Sequence, residues 1–577
     1  FKQKTAYEIR NCDWSSDVCS SDLQLIYEPA TTGQRAVESG KWRLIAPLGP
    51  IEAEELGWYL ERWPVWPNPV LAERAQKVEA NLKVWGEALY AAALPPEHTA
   101  TVLQAWAAVA ANANRRFSVS LDPSLEAGAS DADTAAAREA ATALLALPWE
   151  LLRHGDGFLF QGARPTRVRR RLPNSRNLSV PVVAPPIRVL LITARPEDDA
   201  CGYLDHRASA GPLVAATEEL GEAMRLTLLH PATVAGLEAE LARAQQAGAP
   251  YHVVHFDGHG VYDRRVGLGG LCFEDPADSH KLSGRRHQTV FTDRLGPLLS
   301  DYRIPLVLLE ACQSAQAEAG AESVATELLQ KGVASVVAMS HSVLVETATR
   351  FVKAFYGELA KGQRVGQAML AGQRALHSDP NRGERYGIGE LKLADWFVPV
   401  LYQEEHDPQL FTALPAPQTT EDRKARLRAR LGEVPPEPVN TGFVGRSREL
   451  LALERLLRQE RWAVLRGQGG EGKTALAAEL ARWLVRSQQV ERAAFVSVEL
   501  SGQQGAVLDA LGRQLVGGDY SFAKFENAEQ ALLPIERALK EQATLLVLDN
   551  MESVLLPPYL EASELWSAAA AEELQVD

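Results

Sequence analysis

The sequence predicts an α/β protein: a mostly parallel sheet flanked by helices, followed by a second α/β unit. Three observations predict it. From Pro186 to Gln403, short apolar runs rich in Val, Ile and Leu alternate with segments of helical periodicity, the pattern of a parallel sheet with helices on both faces. A proline-bearing stretch, residues 404–440, then interrupts this alternation. Beyond it the alternation restarts around a glycine-rich turn, Gly467–Thr474.

The chain has 577 residues and a net charge of −14, enough for two or three domains. An acidic chain of this kind argues against general affinity for nucleic acid. No apolar run reaches the length of about 18 residues that marks a membrane span, so no membrane partner is expected. Phe1–Leu23 is expected to be foreign to the protein. "DWSSDVCSSDL" reads codon for codon as a sequencing adapter, and "KQKTAYE" as the other end of the same oligonucleotide. Setting that leader aside removes Cys12 and Cys19 and leaves Cys201, Cys272 and Cys312. Three cysteines without a CxxC pair point to a reducing, cytoplasmic setting. The chain is expected to be a piece of a longer protein at both ends.

Residues 24–180 read as mixed. Lys77–Leu94 has helical spacing, with Val78, Leu82, Trp85, Leu89 and Leu94 near one face; Arg115–Asp122 alternates as a strand; "LPWELLRHGDGFLFQ" reads as a helical turn and a hairpin. The basic run Arg164–Arg176 reads as an exposed strand with solvated arginines, in preference to a nucleic-acid groove. Residues 181–403 hold the regular unit: "IRVLLIT", "LTLLH", "YHVVHF", "PLVLLEA" and "VASVVAM" as strands, with helices between them, and then two amphipathic helices and "DWFVPVLYQ". A short charged helix, "EDRKARLRARL", sits in the linker.

Chemistry in such sheets sits at the carboxyl ends of the strands. Two strand ends carry reactive residues. "YHVVHFDGHG" is expected to end at Phe256 and to hold His259 in a turn between Gly258 and Gly260. "LVLLEACQSA" places Cys312 just past its strand. The two are 53 positions apart, one crossover, so adjacent parallel strands would bring base and thiol to the same edge. The N–H groups of Gly260 and Cys312 are candidate oxyanion donors. A zinc site at His252, His255 and His259 is opposed by strand alternation, which sends His252 and His255 to opposite faces. Ser314 lies beyond the strand and has no separate base. Cys201 and Cys272 read as structural. Arg167 and Arg169–Arg171 have no assigned place.

"HFDGHG", "LLEACQSA", "LPWELL" and "DWFVPVLY", in that order, resemble the CHAT domain, a caspase-like peptidase family, over about Gln24–Gln403. The resemblance implies a caspase-like sheet, His259 as general base, Cys312 as nucleophile and a protein substrate. It gives Asp257 no role, and the family also contains scaffolds.

Gly467-Gln468-Gly469-Gly470-Glu471-Gly472-Lys473-Thr474 has the eight-residue phosphate-loop pattern, expected between a strand over Trp462–Leu465 and a helix. Backbone N–H groups there would wrap phosphates, Lys473 would reach the β/γ-phosphates and Thr474 would bind Mg²⁺. "ATLLVLDN" ends a strand at Asp549, the second carboxylate expected beside the metal. ATP and Mg²⁺ are therefore the expected cofactors. "GFVGRSREL", with Gly445 and Arg446, resembles the entry motif of STAND and related NB-ARC or AAA-type ATPases, which packs near the adenine. Asn550 follows Asp549 where an acid is usual, and Glu552 lies two residues on, so slow hydrolysis and a switch-like role are expected. Together the resemblances imply a cytoplasmic signalling cysteine peptidase governed by an ATP switch that self-associates, in stress, defence or programmed-death signalling. A nucleotide-dependent scaffold is the second reading. A transcription regulator is the third, and would need a helix-turn-helix region that the sequence does not display.

Overall fold

The computed structural model describes residues 4–14, 20–29, 35–109, 114–121, 144–172, 180–263, 268–312, 318–413, 419–438, 442–499 and 503–554. They form two compact units. The first takes in residues 1–225, 229–279 and 284–415; the second takes in 416–577 with 226–228 and 280–283. No helix among the described residues is long and apolar enough to cross a membrane.

The first unit is built on one long sheet. Its strands in chain order are β1 (Lys4–Trp14), β2 (Ser20–Glu28), β3 (Val37–Ile45), β4 (Asn114–Leu121), the small hairpin β5 (Arg153–His154) and β6 (Gly157–Phe158), and β7 (Thr166–Arg171). Then follow β8 (Ile187–Thr193), β9 (Met224–Leu228), β10 (Val253–Asp263), β11 (Leu268–Glu274), β12 (His287–Phe291), β13 (Leu306–Cys312) and β14 (Ser335–Met339). A second hairpin, β15 (Asn381–Arg385) and β16 (Gly389–Lys392), precedes β17 (Pro399–Gln403). Across the sheet the order is β9-β8-β10-β13-β14-β17-β7-β4-β1-β2-β3, and β11-β12 continue from the far end of β10. β8, β10, β13 and β14 are mutually parallel, so the expected mostly parallel sheet is present.

The helices are set by ordinary local signals. α1 (Pro50–Gly57) precedes α2 (Pro69–Ala93), which starts where the Asn68 side chain accepts the Leu71 N–H and Pro69 needs no donor partner. Its buried stripe includes Val78, Leu82 and Leu89, as the periodicity predicts. At Gly86 a Cβ would stand 2.2 Å from the Leu151 carbonyl, so α2 lies directly on the "LPWELL" turn. α3 (Pro96–Ala107) follows. α4 (His206–Leu220) is capped by Asp205, and α5 (Val234–Gln246) by Thr233. α6 (Thr292–Asp301), α7 (Glu318–Gln330), α8 (Val345–Ala360) and α9 (Val365–Ser378) complete the set.

Four expectations are corrected. β10 does not stop at Phe256: it runs to Asp263, pairing in parallel with β13 as far as His259 and then antiparallel with β11. His259 therefore lies in a strand, not a turn, because two neighbours in succession satisfy its backbone. The hairpins β11-β12 and β15-β16 were not foreseen. The basic run is not an exposed strand. Arg167, Arg169 and Arg170 are buried, since β7 sits inside the sheet between β4 and β17. Arg167 binds Asp407 at 2.6 Å, Arg169 donates to Ser118 and to the carbonyls of Glu404 and Glu405, and Arg170 pairs with Glu150. Residues 173–176 of that run lie outside the described residues.

The leader assigned to a foreign origin is also paired, β1 with β2 and β4. A sheet edge offers unpaired N–H and C=O groups to any extended segment, whatever its source.

The second unit contains α10 (Thr420–Leu431), α11 (Ser447–Glu460), α12 (Lys473–Arg486), β18 (Arg492–Ser497), α13 (Gln504–Leu515), α14 (Ala528–Glu541) and β19 (Thr544–Asp549). β18 and β19 are parallel. Val496, Leu508, Leu511, Tyr520 and Ile535 share a core. The fourth correction falls here. Trp462–Leu465 is not a strand: among the described residues no strand pairs with it, and Trp462 and Val464 are 67% and 61% exposed. An apolar run becomes a strand only where a neighbour accepts its ladder bonds.

Candidate active site

β10 and β13 lie side by side in parallel register, from Val253 opposite Leu306 to His259 opposite Cys312. The adjacent strands that the 53-residue spacing required are therefore present, and the backbone positions of the expected base and nucleophile are register partners. Cys312 is described through its backbone; its side chain lies outside the described residues, as does Ser314. Gly260 follows His259 in β10, opposite Leu271 of β11. At Gly258 a Cβ would meet the Phe256 ring at 3.1 Å and the Ala194 carbonyl at 3.3 Å, so only glycine passes there without displacement.

The partner of His259 was not legible in the sequence. Its Nε2 lies 2.8 Å from the Gly202 carbonyl, in the loop between β8 and α4. A carbonyl only accepts, so Nε2 carries the proton and Nδ1 keeps the lone pair. Burial lowers the His259 pKa below its ordinary 6.5, Arg195 adds to the shift, and the Gly202 bond opposes it. The imidazole is thus neutral at neutral pH, as a base requires. A base of lowered pKa is expected to place the acid limb of kcat/KM below pH 6.5, because activity appears as pH rises through the pKa of the free base. A profile measured between about pH 4 and 9 checks it, and an acid limb above 6.5 contradicts it.

Side chains alternate along a strand, so His255, Asp257 and His259 share one face with Glu310 of the neighbouring strand. Asp257 and Glu310 are register partners. Both line a small cavity of about 50 Å³ with Ser209, Met339, His341, Leu344 and Ala348. Asp257 is compensated: the buried Arg195 guanidinium pairs with its carboxylate and donates to its carbonyl at 2.7 Å and to Ala194 at 2.9 Å. Glu310 is different. One oxygen stands 3.4 Å from His255 Nε2, and the other, although buried, has no hydrogen-bond partner among the described residues. Burial lowers the His341 pKa to about 4, so that wall is neutral. Among the described residues, His255 is the one group within ion-pair distance of the Glu310 carboxylate. His252 Nδ1 accepts the Arg188 amide at 3.1 Å.

Residues 137–414 match the family model described as CHAT domain. This stretch, just under half of the chain, is similar to the CHAT domain. The match takes in His259, Cys312 and the cavity, and it ends before the glycine-rich loop. No curated protein matches the chain. Solved structures similar to it include the Saccharomyces cerevisiae separase–securin complex, at 11% identity and TM-score 0.31, covering 71% of this chain and 30% of that one. The Arg-specific cysteine proteinase gingipain R aligns at 10% identity and TM-score 0.26, over 59% of this chain and 76% of that one. Caspase-1 from Spodoptera frugiperda aligns at 12% and 0.24, over 42% and 98%. The chain thus spans less than a third of the separase chain. Around the two strand ends, the "LPWELL" and "DWFVPVLY" motifs are core elements: Trp149 and Trp396 are buried, and Asp395 binds Arg382 at 2.6 Å.

In the second unit the Gly467–Thr474 loop opens α12. Gly470 and Gly472 take φ of 82° and 83°, a region that only glycine enters freely. Gly467 and Gly469 complete the loop, and a Cβ at Gly467 would meet the Glu471 carboxylate. Lys473 Nζ donates to the carbonyls of Gly467 and Gln468 at 2.9 and 3.1 Å. The Thr474 hydroxyl lies 2.9 and 3.0 Å from the two carboxylate oxygens of Asp549, so the two residues expected beside a metal meet. Gly445 and Arg446 both adopt positive φ just before α11. Asn550 donates to Glu499 at 2.7 Å. The sequence reading missed this carboxylate because it comes from the end of β18, while Glu552 is exposed.

Proposed function

We propose that the CHAT-like domain is a cysteine endopeptidase. The observation that carries this reading is the register pairing of His259 with Cys312 where the parallel ladder of β10 and β13 ends. His259 Nδ1 takes the Cys312 thiol proton, and the thiolate attacks the peptide carbonyl carbon. The N–H groups of Gly260 and Cys312 receive the oxyanion. The proton passes from His259 to the leaving amine, and water then hydrolyses the thioester. The test compares new protein N-termini in cells expressing the wild type and Cys312→Ala. Termini that depend on Cys312 support a peptidase. Their absence, also under forced dimerisation of the domain, favours the scaffold reading.

The Glu310 carboxylate suits a substrate side chain that carries a positive charge. A lysine or arginine before the scissile bond would supply a counter-charge. Glu310→Gln is expected to lower kcat/KM on such peptides by about 30-fold or more, the cost of removing one partner of a buried pair. Peptides with an uncharged residue there should be affected far less. Equal losses on both would show that Glu310 does not select the side chain.

We further propose that the second unit binds ATP with Mg²⁺ and acts as a switch on the peptidase through self-association. The meeting of Thr474 with Asp549 favours this reading. Lys473 and the loop amides would hold the phosphates; Thr474 and Asp549 would hold the metal, which supplies charge neutralisation when bound. Lys473→Ala is expected to weaken Mg·ATP binding by about tenfold or more, measured by calorimetry. A Lys473→Ala protein with undiminished, trigger-responsive proteolysis would separate the switch from the peptidase.

A further inference from the structure

The hairpin β11-β12 grips the candidate base from two sides. β11 pairs with β10 immediately past His259, from Gly260 opposite Leu271 to Asp263 opposite Leu268. β12 holds the loop that carries the Gly202 carbonyl, the acceptor of His259 Nε2. That hold centres on Asp198. Its Oδ1 accepts the Ala200 and Cys201 amides at 3.0 and 2.9 Å, and its own amide donates to the Cys201 carbonyl at 3.0 Å, which closes residues 198–201 into a tight turn. Its Oδ2 lies 2.8 Å from the His287 amide and 2.7 Å from His287 Nδ1, which fixes the turn to the first residue of β12. A carboxylate only accepts, so His287 Nδ1 carries a proton. Burial works to raise the Asp198 pKa, but the His287 and loop donors prevail and hold it at about 2, so the acceptor is charged at neutral pH. Two further bonds tie the start of the loop to the same hairpin. Glu274 accepts the Arg195 amide at 3.3 Å, and the Arg285 carbonyl accepts the Glu197 amide at 2.9 Å. Cys201 is fully buried, but Gly202 is exposed, and a Cβ there would meet nothing within 4 Å. Packing against Gly202 therefore does not set its carbonyl; the turn beside it does.

We propose that Asp198, braced by His287, is a positioning residue for His259. The turn it closes sets the Gly202 carbonyl, the carbonyl keeps the proton on Nε2, and Nδ1 is left with the lone pair that a base needs. Where a carboxylate orients a catalytic histidine, its own side chain fixes the direction of the bond. A carbonyl has no rotamer: its direction is that of the backbone, so whatever fixes the backbone fixes the imidazole. Asp198 touches neither substrate nor nucleophile and acts only through Gly202 and His259. The effect on cleavage rests on the peptidase reading; the effect on the His259 ring does not.

The test labels the histidines of the full chain with ¹⁵N and reads the His259 ring, assigned by its loss in His259→Gln, beside the kinetics of peptide cleavage. Wild type is expected to show one tautomer, with the proton on Nε2. Asp198→Asn keeps the shape and one oxygen for the loop amides but turns a donor towards the two donors of His287. His287→Ala breaks the same bond from the other end. Each is expected to mix the two tautomers and to lower kcat about tenfold, with KM changed by less than about twofold. The double variant should lose little more than either alone, because the two residues share one interaction. Asp199→Ala, the exposed neighbour in the loop, should change neither reading. The wild-type ring and the isosteric Asp198→Asn decide the matter even should His287→Ala fail to fold. A His259 tautomer unchanged in Asp198→Asn would overturn the positioning role, whether or not cleavage persists. So would a wild-type ring protonated on Nδ1, additive losses in the double variant, or a loss confined to KM. A wild type that cleaves no peptide while its ring responds to Asp198→Asn would sink the peptidase reading and leave the positioning of His259 standing.

Discussion

Cys312→Ala is expected to lower kcat/KM for peptide cleavage by on the order of 10⁴-fold or more. The size of the effect follows from the role. In the proposed mechanism the thiolate forms the covalent bond, and no other nucleophile among the described residues lies at the carboxyl end of β13 beside His259. Loss of the base should cost nearly as much, and the double variant Cys312→Ala/His259→Ala little more than either alone, since residues that act as a unit are not additive. Cys312→Ser should not rescue activity: a hydroxyl holds its proton far more tightly than a thiol, and His259 is a base of lowered pKa. The measurement is single-turnover cleavage of a peptide with lysine or arginine before the bond. Cleavage by Cys312→Ala within tenfold of wild type (about 1.4 kcal/mol) would assign the reaction to another group.

Asp407→Asn is expected to destabilise the first unit by about 3–5 kcal/mol. Arg116 and Arg167 are register partners on β4 and β7, and Arg169 lies two residues along the same face. Like charges directly opposite one another repel, and burial lowers the pKa of all three guanidinium groups, that of Arg116 to about 10. Asp407 is the carboxylate that answers them. It binds Arg167 at 2.6 Å and accepts the Gly366 amide at 2.9 Å and the Gln403 amide at 3.1 Å. Asparagine keeps the shape and leaves the cations uncompensated. Burial works to raise the Asp407 pKa, but Arg167 and the amide donors prevail and hold it below its ordinary 3.8. The contribution is therefore complete above pH 3.8 and is lost as pH falls through the lower folded-state value. Urea unfolding at pH 7 should show the full loss, and the difference between wild type and variant should shrink in strong acid. A loss below about 1 kcal/mol at pH 7 would mean that the arginines are satisfied by carbonyls alone.

What the sequence disclosed depended on how local the cause was. "VAGLEAELARAQQ" became a helix over its full length, "IRVLLIT" a buried strand and the last five residues of "VASVVAM" another, because periodicity and caps lie within or beside the segment itself. His259 and Cys312 were legible because their spacing fits one crossover. Lys473 and Thr474 were legible because the glycine-rich pattern is contiguous, and Asp549 because it closes an apolar strand run. The arginine run misled because charge alone suggests solvent, whereas Asp407 stands 240 residues away from Arg167. The extension of β10 past Phe256 depends on β11, a distant neighbour. Gly202 acts through a carbonyl, which every residue has and no sequence pattern marks. Glu310 stood in plain view two positions before Cys312, but its importance rests on an oxygen left without a partner.

The register between β10 and β13 has a consequence for control of the molecule. The separation of the backbones carrying the proposed base and nucleophile is the spacing between two hydrogen-bonded strands, about 4.8 Å, and it is held by a ladder running from Val253 to His259. Prising that pair apart would mean unzipping the middle of the sheet, with His255, Phe256, Leu308 and Leu309 all buried. Latency must therefore be imposed by softer parts: the tilt of one imidazole on the Gly202 carbonyl, or the admission of a side chain to the Glu310 cavity. An inactive form of this protein should keep its strands intact and differ in its loops, so hydrogen exchange at β10 and β13 should be the same before and after activation.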